Sequence, residues 1–233
     1  MGKRGCVVVA QRLDQAPWRA TRWLVLAPHP DDETLGTGAL IAQTAAESRL
    51  AGVVYLTDGS ASHPHMDGGV RKLVGVRLRE AGLSLFHLTG CRRYAPVCLG
   101  WRDARPETPQ SMEFQNSVSK MAALCRRRRV DAIAVTAHHE PHCDHAAAAH
   151  LAYAVARCAK RRIRVAEYCV WAPHLAVKAF RPLCTRSMPI GKRRRALRAH
   201  RSQLTHSYGP GFRLPADEQR MAARDILFVR TGR

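Results

Sequence analysis

The 233-residue sequence predicts a single α/β domain in which a mostly parallel, doubly wound sheet carries helices on both faces. Three observations predict it. Short apolar runs rich in β-branched residues recur along the chain, separated by stretches of helical length. The runs are almost continuously apolar, as strands covered on both faces must be. Two of them lead straight into clusters of histidine and carboxylate, and the carboxyl ends of strands are where open α/β sheets bind ligands.

In chain order, the first predicted strand is Trp23–Ala27 (WLVLA), and residues 1–20 before it are expected to be an extension to a domain spanning 21–233. A helix is expected from Thr34 to Arg49, with Leu35, Ala39, Ile41, Ala42 and Ala45 at helical spacing. The second strand is Gly52–Thr57. A loop from Gly59 to Gly69 follows, then a helix from Val70 to Leu83 and a weaker third strand at Leu83–Leu88. Gly90–Pro109 is expected to be a long connection, of the kind that carries function. A helix from Pro109 to Arg128, a fourth strand at Asp131–Thr136, a helix from Ala146 to Arg162 and a fifth strand at Val165–Val170 complete the alternation, with a last helix from Gly191 to Leu204. A strand order of 3-2-1-4-5 would make the first and fourth strands neighbours at the point where the order reverses.

Composition narrows the function classes. No apolar run approaches the ~20 residues that cross a bilayer, and the run after Met1 is too short for a secretory leader. Eight cysteines are scattered without a Cys-x-x-Cys pair, which argues against a structural zinc cluster and for free thiols in a reducing, cytoplasmic setting. The net charge of +20 is uneven: residues 1–90 hold 10 Lys/Arg and 8 Asp/Glu, residues 91–233 hold 28 and 10. Such a surface would attract nucleic acid, anionic lipid headgroups or phosphorylated substrates, and it equally suits a solvated helix face. At 6% aromatic residues, with no recognisable binding motif, the chain lacks the stacking platform of a nucleic-acid module.

The chemistry concentrates in two stretches. Pro28-His29-Pro30-Asp31-Asp32-Glu33 follows the first strand, and His138-His139-Glu140-Pro141-His142-Cys143-Asp144-His145 follows the fourth. Imidazoles plus a carboxylate, with a position left for water, are the ligand chemistry of a catalytic zinc site. Read singly, each stretch could be a polar helix cap; facing each other across one crevice they point to a metal-dependent hydrolase.

These stretches resemble the PIG-L/LmbE-like N-acetylglucosaminyl deacetylases. Besides the two stretches, Thr57-Asp58-Gly59 followed by Arg77-Leu78-Arg79-Glu80, and the late Ala199-His200-Arg201-Ser202-Gln203, fall in the family's order. Pro28 and Cys143 stand where many members carry other residues. The resemblance implies a Rossmann-like fold and a zinc-dependent hydrolase that removes an N-acyl group from an amino sugar or its conjugate. It implies His29, Asp32 and His145 as metal ligands, Asp31 as the general base acting on metal-bound water, and His142 as the group facing the oxyanion or leaving amine. It implies sugar contacts by Arg77 and Asp103. Asp144 is then placed to fix an imidazole tautomer. Zinc fits the ligand set, and so does ferrous iron. The basic half suggests an anionic substrate, such as a nucleotide sugar, a sugar phosphate or a lipid-linked sugar reached by peripheral membrane contact. An amidase acting on a non-sugar amide, such as a mercapturate-type thiol conjugate, keeps the same metal site. Arg77 could instead pair with Glu80 along a helix, Glu33 could be a helix-start acid, and His200–Gln203 could be helix surface.

Overall fold

The structure, a computed structural model, describes residues 10–65, 68–173 and 179–231. Eight strands form one sheet: β1 (Gln11–Arg12), β2 (Trp23–Ala27), β3 (Leu50–Thr57), β4 (Val97–Trp101), β5 (Ala132–Thr136), β6 (Arg164–Tyr168), β7 (Phe180–Cys184) and β8 (Ile226–Arg230). Their order across the sheet is β1-β7-β8-β6-β5-β2-β3-β4. The five strands from β6 to β4 are parallel, and β8 runs antiparallel between β6 and β7. The expected α/β domain is therefore present, with an antiparallel insertion.

Among the described residues six α-helices accompany the sheet: α1 (Asp32–Ala46), α2 (Gly69–Thr89), α3 (Met112–Arg127), α4 (Cys143–Cys158), α5 (Ile190–Ala199) and α6 (Arg201–Leu204). Every residue of β2, β3 and β5 is buried. Alternation along β2 divides the core. Trp23, Val25 and Ala27 face a cluster containing Leu40, Ile41, Leu85, Leu88 and Ala196 from α1, α2 and α5. Leu24 and Leu26 face Phe114, Met121, Ala148 and Leu151 from α3 and α4.

Two expectations need correction. Leu83–Leu88 is not a strand but the last part of α2, whose buried residues Leu73, Val76, Ala81, Leu85 and Leu88 recur at helical spacing. The third strand is β4, inside the stretch expected to be a connection. With that exchange the predicted order holds: β4-β3-β2-β5-β6 reads 3-2-1-4-5. Of the expected extension, residues 1–9 lie outside the described residues. Gln11–Arg12 pairs with β7, and Leu13 and Trp18 are buried in the core.

Strand order reverses between β2 and β5, where Leu26 pairs with Val135. That register brings the ends of the two strands together, so the segments leaving Ala27 and Thr136 open onto one crevice.

Candidate active site

His29 follows β2 by two residues, and Asp31 caps the start of α1. Asp31 has φ 141° and ψ −32°, a region L-residues rarely occupy. Its side chain makes no capping bond to the helix; the Asp31 N–H donates instead to Glu33 Oε2 at 2.9 Å. The strain leaves the Asp31 carboxylate free of the usual cap duty. On the other side of the crevice His142 caps α4, its Nδ1 accepting the Asp144 N–H at 3.2 Å. That bond leaves the ring proton to Nε2.

Three side chains converge. Asp32 Oδ2 lies 3.2 Å from His29 Nδ1 and 3.3 Å from His145 Nε2. The outer nitrogen of each imidazole is held by a carboxylate: His29 Nε2 lies 3.0 Å from Asp144 Oδ2, and His145 Nδ1 lies 3.0 Å from Glu140 Oε2. Carboxylates in these positions fix the ring proton on the outer nitrogen and turn the inner lone pair inwards. His145 Nε2 is buried without a hydrogen-bond partner. An orphaned imidazole nitrogen beside a carboxylate is the arrangement a cation would complete, so the residues present fit a bound metal ion. His142 offers a further ring nitrogen, grouped with those of His29 and His145 within 4.8 Å.

Electrostatics agree with a cation seat. Burial alone would lower the His29 and His145 pKa values. Asp103, Asp144 and Asp32 nevertheless hold His29 well above its ordinary value, and Asp32 and Glu140 push His145 up to about 9. Burial alone would raise Asp32, but His145 and His29 hold it well below the usual carboxylate range. Asp31 behaves oppositely. Burial, reinforced by Asp32 and opposed by Arg77, pushes it up to about 6. Two adjacent carboxylates are thus driven apart, one firmly ionised and one able to move a proton near neutral pH.

Arg77 is 3% exposed and anchors the floor, its guanidinium donating to Gly59 O at 2.9 Å and Pro30 O at 2.8 Å. It lies 3.5 Å from Asp31 Oδ2 and 3.9 Å from Asp103 Oδ2. Its helix neighbour Glu80 is engaged elsewhere, accepting from the Ser202 N–H and hydroxyl. Asp103 faces inward as well, 3.2 Å from His29 Nε2 and accepting the Ala61 N–H at 3.0 Å. Both residues expected to touch a sugar are therefore built into the support of Asp31 and His29.

Four further side chains sit where the sequence left the reading open. Glu33 is fully buried against His200 Nε2 (3.1 Å), Thr34 and Ser84, and Ser202 and Gln203 are buried too. Glu140 is the residue sequence reasoning missed. It holds His145 and also accepts the backbone N–H groups of Val170, Trp171 and Ala172. Its position inside the second histidine-rich stretch was the available signal. Of the unmatched histidines, His138 and His150 pair with each other and His63 lies buried beside Ser62.

Comparison with known proteins gives the family and the fold. The family described as PIG-L, GlcNAc-PI de-N-acetylase, matches residues 24–156. No curated protein matches the chain. Among solved structures, the N,N'-diacetylchitobiose deacetylase of Pyrococcus horikoshii aligns at 20% identity and a TM-score of 0.62, over 82% of this chain and 74% of that one. The zinc-inhibited form of teicoplanin deacetylase Orf2 aligns at 18% identity and 0.60, over 91% and 99%. GalB, a 4-carboxy-2-hydroxymuconate hydratase from Pseudomonas putida KT2440, aligns at 13% identity and 0.53, over 91% and 98%. These likenesses establish the fold; a hydratase among them means that chemistry has to be argued from the site.

Proposed function

The chain belongs to the PIG-L family, and from that membership and the geometry of its crevice we propose that it is a metal-dependent hydrolase removing an N-acyl group, typically acetyl, from an amino sugar or its conjugate. The observation that carries the reading is the convergence of His29 Nδ1 and His145 Nε2 on Asp32 Oδ2, next to an Asp31 carboxylate freed from capping. His29, Asp32 and His145 would hold the ion, zinc or ferrous iron by donor type. Such an ion, when bound, acidifies a water and polarises the amide carbonyl.

The chain's own residues supply the rest. Asp31 takes the proton of the attacking water; a pKa near 6 keeps it a carboxylate at neutral pH yet basic enough to accept one. Arg77, fixed by two backbone carbonyls, holds the Asp31 carboxylate in place. His142 is half-exposed at the crevice, and burial together with the charge of His29 and His145 lowers its pKa. It is therefore neutral at pH 7 and presents Nε2–H to the developing oxyanion. The same group can assist departure of the amine. Asp144, Asp103 and Glu140 keep the two ligand imidazoles in register.

Acetate release from a panel of N-acetylglucosamine derivatives, with and without a chelator, tests the proposal. Release that stops with the chelator and returns on adding zinc or iron supports it. A metal-loaded protein that releases acetate from no sugar, but cleaves N-acetylcysteine conjugates, would replace the sugar with a non-sugar amide.

A further inference from the structure

Two basic runs lie away from the crevice. Residues 126–129 end α3 and lead into β5; residues 157–164 end α4 and lead into β6. Because β5 and β6 are parallel neighbours, both runs reach the N-terminal edge of the sheet side by side, at the end opposite the crevice. The lead-in to β2 joins them. Arg22 Nε donates to Arg128 O at 2.7 Å, and the Arg22 N–H donates to Asp131 at 3.0 Å. Residues 126–131 and 157–164 contain nine Arg/Lys and one acid, Asp131, which Arg161 already engages. Arg126, Arg127, Arg129, Lys160 and Arg162 are exposed. Like charges crowded this way raise the local potential and cost stability unless an anion neutralises them.

We propose that this edge binds the phosphodiester backbone of a nucleic acid without reading its bases. Eight of the nine cations are arginines, whose planar fork matches phosphate oxygens bidentately. Starts of neighbouring strands lie roughly 5 Å apart, so β6, β5 and β2 present a row about 10 Å across before side-chain reach is added. No large apolar side chain accompanies the row: among the described residues those exposed are Val70, Leu78, Leu83, Met112, Phe212 and Ile226, all outside it. A surface that enters a bilayer would carry such anchors. Trp18, beneath Arg164 at this edge, is buried, and the exposed Phe212 lies outside the row, so the row offers phosphate contacts rather than base stacking. The edge faces away from the crevice, so the inference stands independently of the proposed hydrolysis.

Fluorescence anisotropy with a labelled duplex of about 20 base pairs, across about 50 to 200 mM NaCl, tests it. The variant Arg126→Ala/Arg127→Ala/Arg162→Ala draws on both runs. Its control, Arg194→Ala/Arg195→Ala/Arg198→Ala, removes the same charge from α5, which packs on the other face of the sheet. The first variant should bind roughly tenfold or more weakly, and flatten the slope of log affinity against log salt by about 2 to 3. The control should stay close to wild type. An equal loss in the control would reduce the effect to net charge and overturn the proposal. So would the absence of duplex binding at the lowest salt, including the case where phosphatidylserine vesicles bind instead.

Discussion

Asp31 and Glu33 exchange the tasks their positions suggest. Asp31 stands at the helix cap but leaves the capping bond to Glu33, whose Oε2 accepts the Asp31 N–H, and its own carboxylate remains available for chemistry. Glu140 serves in the same supporting way for His145. In Glu140→Gln the amide can still meet His145 but lacks the charge that sharpens its lone pair. Metal affinity, measured by competition with a chromophoric chelator, should fall about 10- to 100-fold with the fold intact. An unchanged affinity would remove Glu140 from the support of the ligand. A second residue-scale prediction concerns packing. A Cβ at Gly36 would run into the Tyr168 ring, which is fully buried beneath α1. Gly36→Ala should destabilise the protein by about 1–3 kcal/mol in denaturant unfolding, because neither the helix nor the ring has room to give. At this scale the candidate ligands stood out in the sequence because His29 and Asp32, and separately His142 and His145, lie three positions apart. The tasks of Glu140, Asp103 and Arg77 were not, because their partners are brought to them only by folding.

At the scale of elements, buried polar bonds tie α1 and α2 to the end of the chain. Glu33 of α1 meets His200 just before α6, and Glu80 of α2 holds Ser202 within it. Burial opposes both ionised forms, yet the pair keeps His200 above and Glu33 below their ordinary values. The raised His200 contributes stability in full below about pH 6.5 and loses it as pH rises through its folded value. The lowered Glu33 contributes in full above about pH 4.3 and loses it as pH falls. The stability gap between wild type and Glu33→Gln should therefore be widest between those limits, on the order of 3–5 kcal/mol, measured by urea unfolding at several pH values. A gap that does not vary with pH would show that the pair is not ionised. The late histidine motif read as possible helix surface because nothing in its local sequence announces a partner 167 positions away. The error over Leu83–Leu88 has a related cause. Six residues of mixed apolar character fit either period, and the deciding pattern lies in the whole 21-residue α2 that contains them, closed by Gly90 in a left-handed conformation. The true third strand, β4, is half-exposed along most of its length at the sheet edge and so carries no continuous apolar run.

Over the whole molecule, the parallel sheet separates two kinds of charge. Carboxylates and imidazoles collect where β2 and β5 end, and arginines collect where β5 and β6 begin. Fold and crevice position were both legible because continuous apolar strands and their order determine where a switch point falls. The antiparallel β8, the two-residue β1 and β7 were not, since their pairing joins segments far apart in the chain. A cation held between segments following β2 and β5 should stabilise the whole domain. Zinc or ferrous ion at about 100 times its dissociation constant should add about 2.7 kcal/mol, read as a raised unfolding midpoint that a chelator reverses. Asp32→Ala should abolish the rise. Asp31→Asn, assayed for bound metal and for acetate release from N-acetylglucosamine conjugates, separates metal binding from proton transfer. Metal occupancy should stay full while release falls about 100-fold or more, since the proposed ligands remain and the proposed proton acceptor is gone. Release at the wild-type rate with metal bound would contradict that assignment.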